Sequence, residues 1–200
     1  MSQEFRLELP PGPFDAYLFD CDGTIADSMP LHYEAWNIAL AEWGGHFPRE
    51  LFYAWAGMPL PRTIEMLNER FGLSMPVDKI LARKEEQYKA QLPRLRPVRC
   101  VLHHIEAMHG KVPFAVVSGS PRNSIHSTLS TLGLSMHFPV IVGAEDYARG
   151  KPHPEPFLTA AKALGVRPEK CLVFEDAQLG IESARAAGMA WVKVPEPVHE

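Results

Sequence analysis

The chain is poor in cysteine: Cys21, Cys100 and Cys171 are the only three in 200 residues. Their odd number, long spacing and lack of a C-x-x-C pattern argue against a disulfide framework, and predict a reduced, cytoplasmic protein. Long apolar runs are missing as well. No stretch reaches the ~18 consecutive apolar residues of a membrane-spanning helix, so no membrane partner is expected. Residues 1–15, MSQEFRLELPPGPFD, carry acids and prolines where a secretory signal would be apolar. There is no surplus of positive charge: 20 Lys and Arg against 24 Asp and Glu leave a net charge of −4. That balance argues against nucleic acid as the main partner, because phosphate-backbone binding wants basic residues in excess on one face. The nine histidines form no H-E-x-x-H or Cys/His cluster that would hold zinc. No internal repeat is visible.

What the chain does have is an apolar share of 46%, typical of a globular protein. Its length suits one or two domains. The 19 prolines are scattered at element ends, where they act as turn and cap residues. Five short apolar runs read as strands: 16–19, 114–117, 139–142, 172–174 and 190–194. They are mostly continuous rather than alternating, as strands buried on both faces of a parallel sheet are. Helical stretches at 121–132, 154–164 and 180–187 begin at Pro or Gly and end just before Gly133, Gly165 and Gly188. Strands alternating with helices predict an α/β sandwich.

Between the first two strands the pattern changes. Residues 29–93 read as helices (30–43, 62–70 and 78–92) with no convincing strand. An insert this long is too large for a connection and reads as a small second domain. Ligands of open α/β sheets bind outside the carboxyl ends of the strands, so an insert there is placed to cover the site.

The first strand runs into Asp20-Cys21-Asp22-Gly23-Thr24. Two carboxylates two residues apart project to the same side of extended chain, and Gly23 permits a sharp exit. Two solvated loop acids remain the plain alternative. Three further pieces follow at strand ends or helix starts. They are Val117-Ser118-Gly119-Ser120, Gly150-Lys151-Pro152-His153-Pro154 and Phe174-Glu175-Asp176-Ala177, the last continued by Gly180-Ile181-Glu182-Ser183-Ala184-Arg185-Ala186-Ala187-Gly188-Met189.

In this order the four pieces resemble the motifs of the haloacid dehalogenase-like phosphatases, over about residues 15–194. The resemblance implies a Rossmann-like parallel-sheet three-layer sandwich with a small helical cap inserted after the first strand. The core would comprise residues 1–28 and 94–200, and the cap 29–93. It implies Asp20 as nucleophile forming an aspartyl-phosphate, and Asp22 as general acid and base. Ser118, the Gly119 amide and Lys151 would bind the phosphoryl group. Mg²⁺ would sit on Asp20, Asp176 and the Asp22 backbone carbonyl, with Glu175 either a ligand or a support. Hard oxygens suit that ion, and a carboxylate nearing a phosphate dianion needs a cation between them.

A subgroup with such a cap includes β-phosphoglucomutase and similar sugar phosphatases. Its cap histidine matches His32, twelve residues after Asp20, with Trp36 nearby, and a later cap lysine matches Lys84. An ordinary helix polar residue and a solvated lysine are the structural alternatives. Where the mutase carries an Arg three residues after a cap-loop Gly, this chain has Leu60, and Arg62 follows two residues later. That placement resembles the bacterial fructose-1-phosphate phosphatase type and favours a monophosphate substrate over a mutase. Ser120 before Pro121 is expected to cap the next helix, leaving Ser118 for phosphate. Trp43, Phe52, Tyr53 and Trp55 are expected to pack the cap, and Glu65, Glu69 and Arg70 to form a solvated helix face. His103 and His104, adjacent on a helix, make a poor metal pair. The expected function is a cytoplasmic, monomeric, Mg²⁺-dependent phosphatase of small phosphorylated metabolites. The alternatives are a sugar phosphomutase and a non-catalytic binding module on the same fold.

Overall fold

Five strands form one parallel sheet in the order β3-β2-β1-β4-β5 in a computed structural model that describes residues 7–197. They are β1 (Ala16–Phe19), β2 (Phe114–Val117), β3 (Val140–Val142), β4 (Cys171–Glu175) and β5 (Ala190–Lys193). Residues 1–6 and 198–200, assigned to the core by the sequence reading, lie outside the described residues. The strand expected at 139–142 is one residue shorter, and that at 172–174 one residue longer at each end.

β1 is central because every residue of its AYLF segment is apolar and buried. Alternate side chains leave a strand on opposite faces, which divides the core in two. Tyr17 and Phe19 join Phe114, Phe138 and Phe174 on one face, and Phe19 stacks on Phe174 at 4.5 Å. Ala16 and Leu18 join Ala115, Val173, Phe157 and Ala160 on the other. Helices α5 (Arg99–Met108) and α6 (Arg122–Thr131) cover the aromatic face with Val101, Ile105, Ile125 and Leu129. Helices α7 (Glu155–Leu164) and α8 (Gln178–Ala186) cover the small-residue face with Phe157, Ala160, Ala161 and Ala184. The result is the expected three-layer sandwich. Each buried Phe contributes about 2–3 kcal/mol of transfer free energy.

The segment after β1 folds into α1 (Met29–Ala41), α2 (Arg49–Ala54), α3 (Leu60–Phe71) and α4 (Val77–Gln91). α2 and α5 extend the helices outlined from sequence. These four helices share a hydrophobic cluster of their own, including Trp36, Leu40, Phe47, Phe52, Ile64 and Ile80. A smaller cluster of Ala26, Leu31, Ala35, Tyr88 and Leu95 lies where the chain leaves and re-enters the sheet. There the two connecting segments are laced together. Asp27 N–H donates to the Arg96 carbonyl at 2.9 Å, and Val98 N–H to the Ile25 carbonyl at 3.0 Å.

Candidate active site

Because the sheet is parallel, the carboxyl ends of β1, β2 and β4 meet at one edge, and the acidic and hydroxyl residues cluster there. Asp20 prolongs the β1 ladder by one residue, its N–H donating to the Phe174 carbonyl at 3.0 Å. Ser118 does the same beyond β2, donating to the Val142 carbonyl at 3.0 Å. Glu175 ends β4 and Asp176 follows it.

Lys151 enters from the loop before α7 and is only 4% exposed. Its Nζ donates to Asp20 Oδ1 and Glu175 Oε2, both at 2.6 Å, and to the Val117 carbonyl at 3.1 Å. All three ammonium protons therefore have acceptors. Burial works to lower the Lys151 pKa, but Asp20 and Glu175 outweigh it and hold the ammonium above its usual range. Glu175 Oε1 accepts the Ala177 N–H at 3.1 Å.

One oxygen each from Asp20, Glu175 and Asp176 lie within 4.8 Å of one another. Burial, then Glu175, raise the Asp20 carboxyl against the pull of Lys151. The same two causes, in the same order, push Asp176 up to about 7. Crowded, buried hard oxygens whose charge Lys151 only partly offsets are a donor set that fits a divalent cation. Thr24 Oγ1 donates to Asp176 Oδ1 at 3.0 Å and orients it. Gly23, at φ +88°, leaves no room for a side chain, because a Cβ there would overlap the Asp176 carboxyl. The Gly23 of the motif is thus required both by backbone conformation and by close approach.

Asp22 points away from this cluster. Its Oδ1 accepts Ser28 Oγ at 2.7 Å and pairs with His32 Nε2 at 2.8 Å. Its Oδ2 accepts Ser120 Oγ at 2.8 Å and Ser118 Oγ at 3.5 Å. Burial would raise its carboxyl, but His32, Ser28 and Lys84 hold it well below the usual range. The side chain is therefore held as a carboxylate, in the form of a base. His32 and Lys84 are themselves lowered, first by burial.

A cavity of about 700 Å³, counted out to its open mouth, joins these groups. Asp20, Asp22, Ser118, Gly119, Lys151, Glu175 and Asp176 line its floor. His32 and Lys84 line it from the helical segment, with Trp36, Phe47, Phe52, Trp55 and Leu60 as an apolar wall. His32 and Lys84 are 5% and 2% exposed, so neither is an ordinary solvated residue.

Three sequence expectations are corrected. Arg62 is not in this lining. Its side chain is about half exposed and pairs with Glu65 and Glu69 at 3.1 and 3.2 Å, because α3 turns Thr63 and Ile64 inward and Arg62 outward. Ser120 is not a helix cap. Pro121 takes that position without a side-chain cap bond, while the Ser120 hydroxyl goes to the stronger acceptor, the Asp22 carboxylate. Trp43 does not pack inside the helical segment but is 42% exposed, with Lys79 Nζ 5.6 Å over its ring. Phe52 and Trp55 do pack there, and they also face the cavity. Ser28 and Thr24, which sequence reasoning left out, share the site. Ser28 stands at the N-cap position of α1 but makes no cap bond; its hydroxyl turns back to Asp22, six residues earlier in the same β1–α1 connection.

Residues 17–194 match the family described as haloacid dehalogenase-like hydrolase. The chain is 35% identical over 178 residues to the fructose-1-phosphate phosphatase YqaB of Escherichia coli K12, covering 88% of this chain and 94% of that one. It is 29% identical over 179 residues to the phosphorylated carbohydrates phosphatase of Thermotoga maritima, covering 88% and 82%. Among solved structures, the β-phosphoglucomutase of Clostridium difficile superposes with a TM-score of 0.77 at 26% identity, covering 89% of this chain and 83% of that one. The chain belongs to the haloacid dehalogenase-like hydrolase family, and in the company of these phosphatases it is a phosphoric monoester hydrolase.

Proposed function

We propose that this hydrolase is a Mg²⁺-dependent phosphatase of small phosphorylated metabolites, sugar phosphates of the fructose 1-phosphate kind, and that it works through an aspartyl-phosphate on Asp20. The observation that carries this reading is the meeting of Asp20, Asp22, Ser118, Lys151 and Asp176 around one cavity. The relatives named for sugar-phosphate hydrolysis support the substrate class.

In the first step a carboxylate oxygen of Asp20 bonds to phosphorus, and the bond from phosphorus to the sugar oxygen breaks. Asp22 supplies the proton to that oxygen, the dianionic phosphate beside it having raised its proton affinity. In the second step Asp22 takes a proton from water, whose oxygen bonds to phosphorus as the Asp20–phosphorus bond breaks. Lys151, the Ser118 hydroxyl and the Gly119 amide stabilise the phosphoryl charge. Asp20 and Asp176, with the Asp22 carbonyl, would hold the cation, which when bound screens the attacking carboxylate from the phosphate dianion. We assign Glu175 to holding Lys151, since both its oxygens are engaged.

In this reading residues 29–93 form a cap over a core of residues 1–28 and 94–200. His32 and Lys84 face the sugar from the cap. Cap closure excludes bulk water. Hydrolysis is favoured over mutase chemistry because the wall at Leu60 is apolar and Arg62 is tied to Glu65 and Glu69, so neither offers a second phosphate a partner. The setting is the cytoplasm and the working form a monomer. The three free cysteines are in keeping with a reducing compartment.

The test is a panel of sugar phosphates, fructose 1-phosphate included, incubated with Mg²⁺ and with EDTA. Phosphate release that needs Mg²⁺ and vanishes in Asp20→Asn is the expected result. Release that survives EDTA, or that persists in Asp20→Asn at the parent rate, rejects the mechanism. Isomerisation without release makes the protein a mutase.

A further inference from the structure

His32 is the cap residue in contact with Asp22, and its hold on its own position is unusual. A functional imidazole is ordinarily oriented by a hydrogen bond at its second nitrogen. Here Nε2 is on Asp22 at 2.8 Å, while the buried Nδ1 has no hydrogen-bond partner among the described residues. The ring plane is set instead by Tyr88 of α4, which stacks on it at 3.9 Å and 18°. Tyr88 is fully buried and reaches across to the core. Its hydroxyl lies 2.8 Å from Thr128 Oγ1 of α6, which is 1% exposed. A continuous line thus runs from core helix α6 through the Thr128 and Tyr88 hydroxyls, the Tyr88 ring and the His32 ring to Asp22. It spans the boundary between the helical segment and the sheet layers, in the cluster of Ala26, Leu31, Ala35 and Leu95 where the two connecting segments are laced; of these contacts, the Thr128–Tyr88 bond is the one that reaches α6. Both hydroxyls belong to residues with 0% and 1% exposure, so breaking the pair leaves an unsatisfied buried group.

We propose that Tyr88 is a positioning residue for the acid–base group: pinned to the core by Thr128, it fixes the His32 plane and with it the direction of the Asp22 carboxyl. The inference rests on the acid–base role given to Asp22 above. It makes proton delivery depend on the cap being seated on the core, because the pinning bond exists only when α4 and α6 are in register. Lys84, 5.4 Å from the Tyr88 ring centroid, is carried on the same helix and is seated by the same contact.

The experiment compares two leaving groups. An alkyl phosphate needs a proton delivered to its leaving oxygen, whereas p-nitrophenyl phosphate leaves as a stable phenolate. kcat/KM reports the first chemical step for each. Tyr88→Phe, which keeps the stacking ring and loses the hydroxyl, is expected to lower kcat/KM for the best alkyl phosphate of the panel about fivefold to tenfold, the rate equivalent of one hydrogen bond. p-Nitrophenyl phosphate should be hydrolysed at close to the parent kcat/KM. Thr128→Val should match it, Thr128→Ser should restore the parent value, and the double variant should be no worse than either single one. Tyr88→Leu, which also loses the stack, should be slower still on the alkyl phosphate. An equal loss on both substrates, or none on either, overturns the proposal; Tyr88→Phe carries the test if Thr128→Val fails to fold. If the parent protein hydrolyses neither substrate, the function proposed above has failed, and amide hydrogen exchange still reads the tether. Tyr88→Phe is expected to speed exchange in α1 and α4 and leave the sheet unchanged. Unaltered exchange there overturns the tether.

Discussion

Replacing Gly23 by Ala separates backbone strain from damage to the site, because the structure supplies its own control. At φ +88° an alanine costs about 1–2 kcal/mol relative to glycine. Its Cβ would also overlap the Asp176 carboxyl, which must then move off the Thr24 hydroxyl it accepts at 3.0 Å. A hydrogen bond to a charged acceptor is worth about 1.5–3 kcal/mol. Together these cost about 2.5–5 kcal/mol, or a fall in Tm of roughly 10 °C for a chain of this size. Gly133 has a similar φ, +71°, and nothing within 4 Å of a built Cβ. Gly133→Ala therefore pays only the conformational part, about 1–2 kcal/mol, and keeps its activity. Urea unfolding and phosphate release on the two variants give the comparison. Gly23→Ala should be the less stable and should lose most of its activity, since Asp176 is displaced from the acidic cluster. If the two variants are equally stable and equally active, the close approach of Gly23 to Asp176 has no energetic weight and the reasoning fails.

Three other outcomes are expected. Ser120→Ala removes one charge-assisted bond from Asp22 and should lower kcat about tenfold with α6 intact by circular dichroism; an unchanged kcat would return Ser120 to a purely structural role. Arg62→Ala should leave kcat and KM for sugar phosphates where they are, because the side chain faces solvent between Glu65 and Glu69; a large rise in KM would put Arg62 back in the site. Asp176 titrates in the folded chain at about 7, above the ~3.9 of an unfolded Asp. Its contribution to stability is thus complete below the unfolded value and is lost as pH rises through 7. Metal-free protein should pay nearly all of this penalty at pH 8 and only a minor part of it at pH 5. A cation that relieves it should raise Tm more at pH 8, and melts with EDTA and with Mg²⁺ showing the larger shift at pH 5 would contradict this.

The parallel strands were legible because burial on both faces demands continuous apolar runs, and β1 and β2 fall on the residues expected. The start of α5 was harder to see. Val98, Val101, Leu102 and Ile105 carry a helical spacing, but no Ser, Thr, Asp or Asn marks its beginning, and Val98 is the capping residue. Asp20 and Asp22 stood out as paired carboxylates at the end of an apolar strand, whereas the roles of Ser118, Lys151, Glu175 and Asp176 came from the resemblance of their segments to the family's motifs. His32 and Lys84 were visible only as positions in a resemblance, since an amphipathic helix carries such residues on its wet face as readily as on its buried one.

By itself, then, the order of residues determined the sandwich, the helical insertion and the acidic edge where catalysis is assigned, because local periodicity and the residue types at strand ends are properties of short segments. Only the tertiary structure decided the partners of Asp22, the outward turn of Arg62 and the line from Thr128 through Tyr88 to His32. Each of these joins or parts residues from different elements, up to 98 positions apart for Ser120 and Asp22. A hydroxyl at a helix start bonds either its own backbone or a distant carboxylate, and which it does depends on what folding brings within 3 Å.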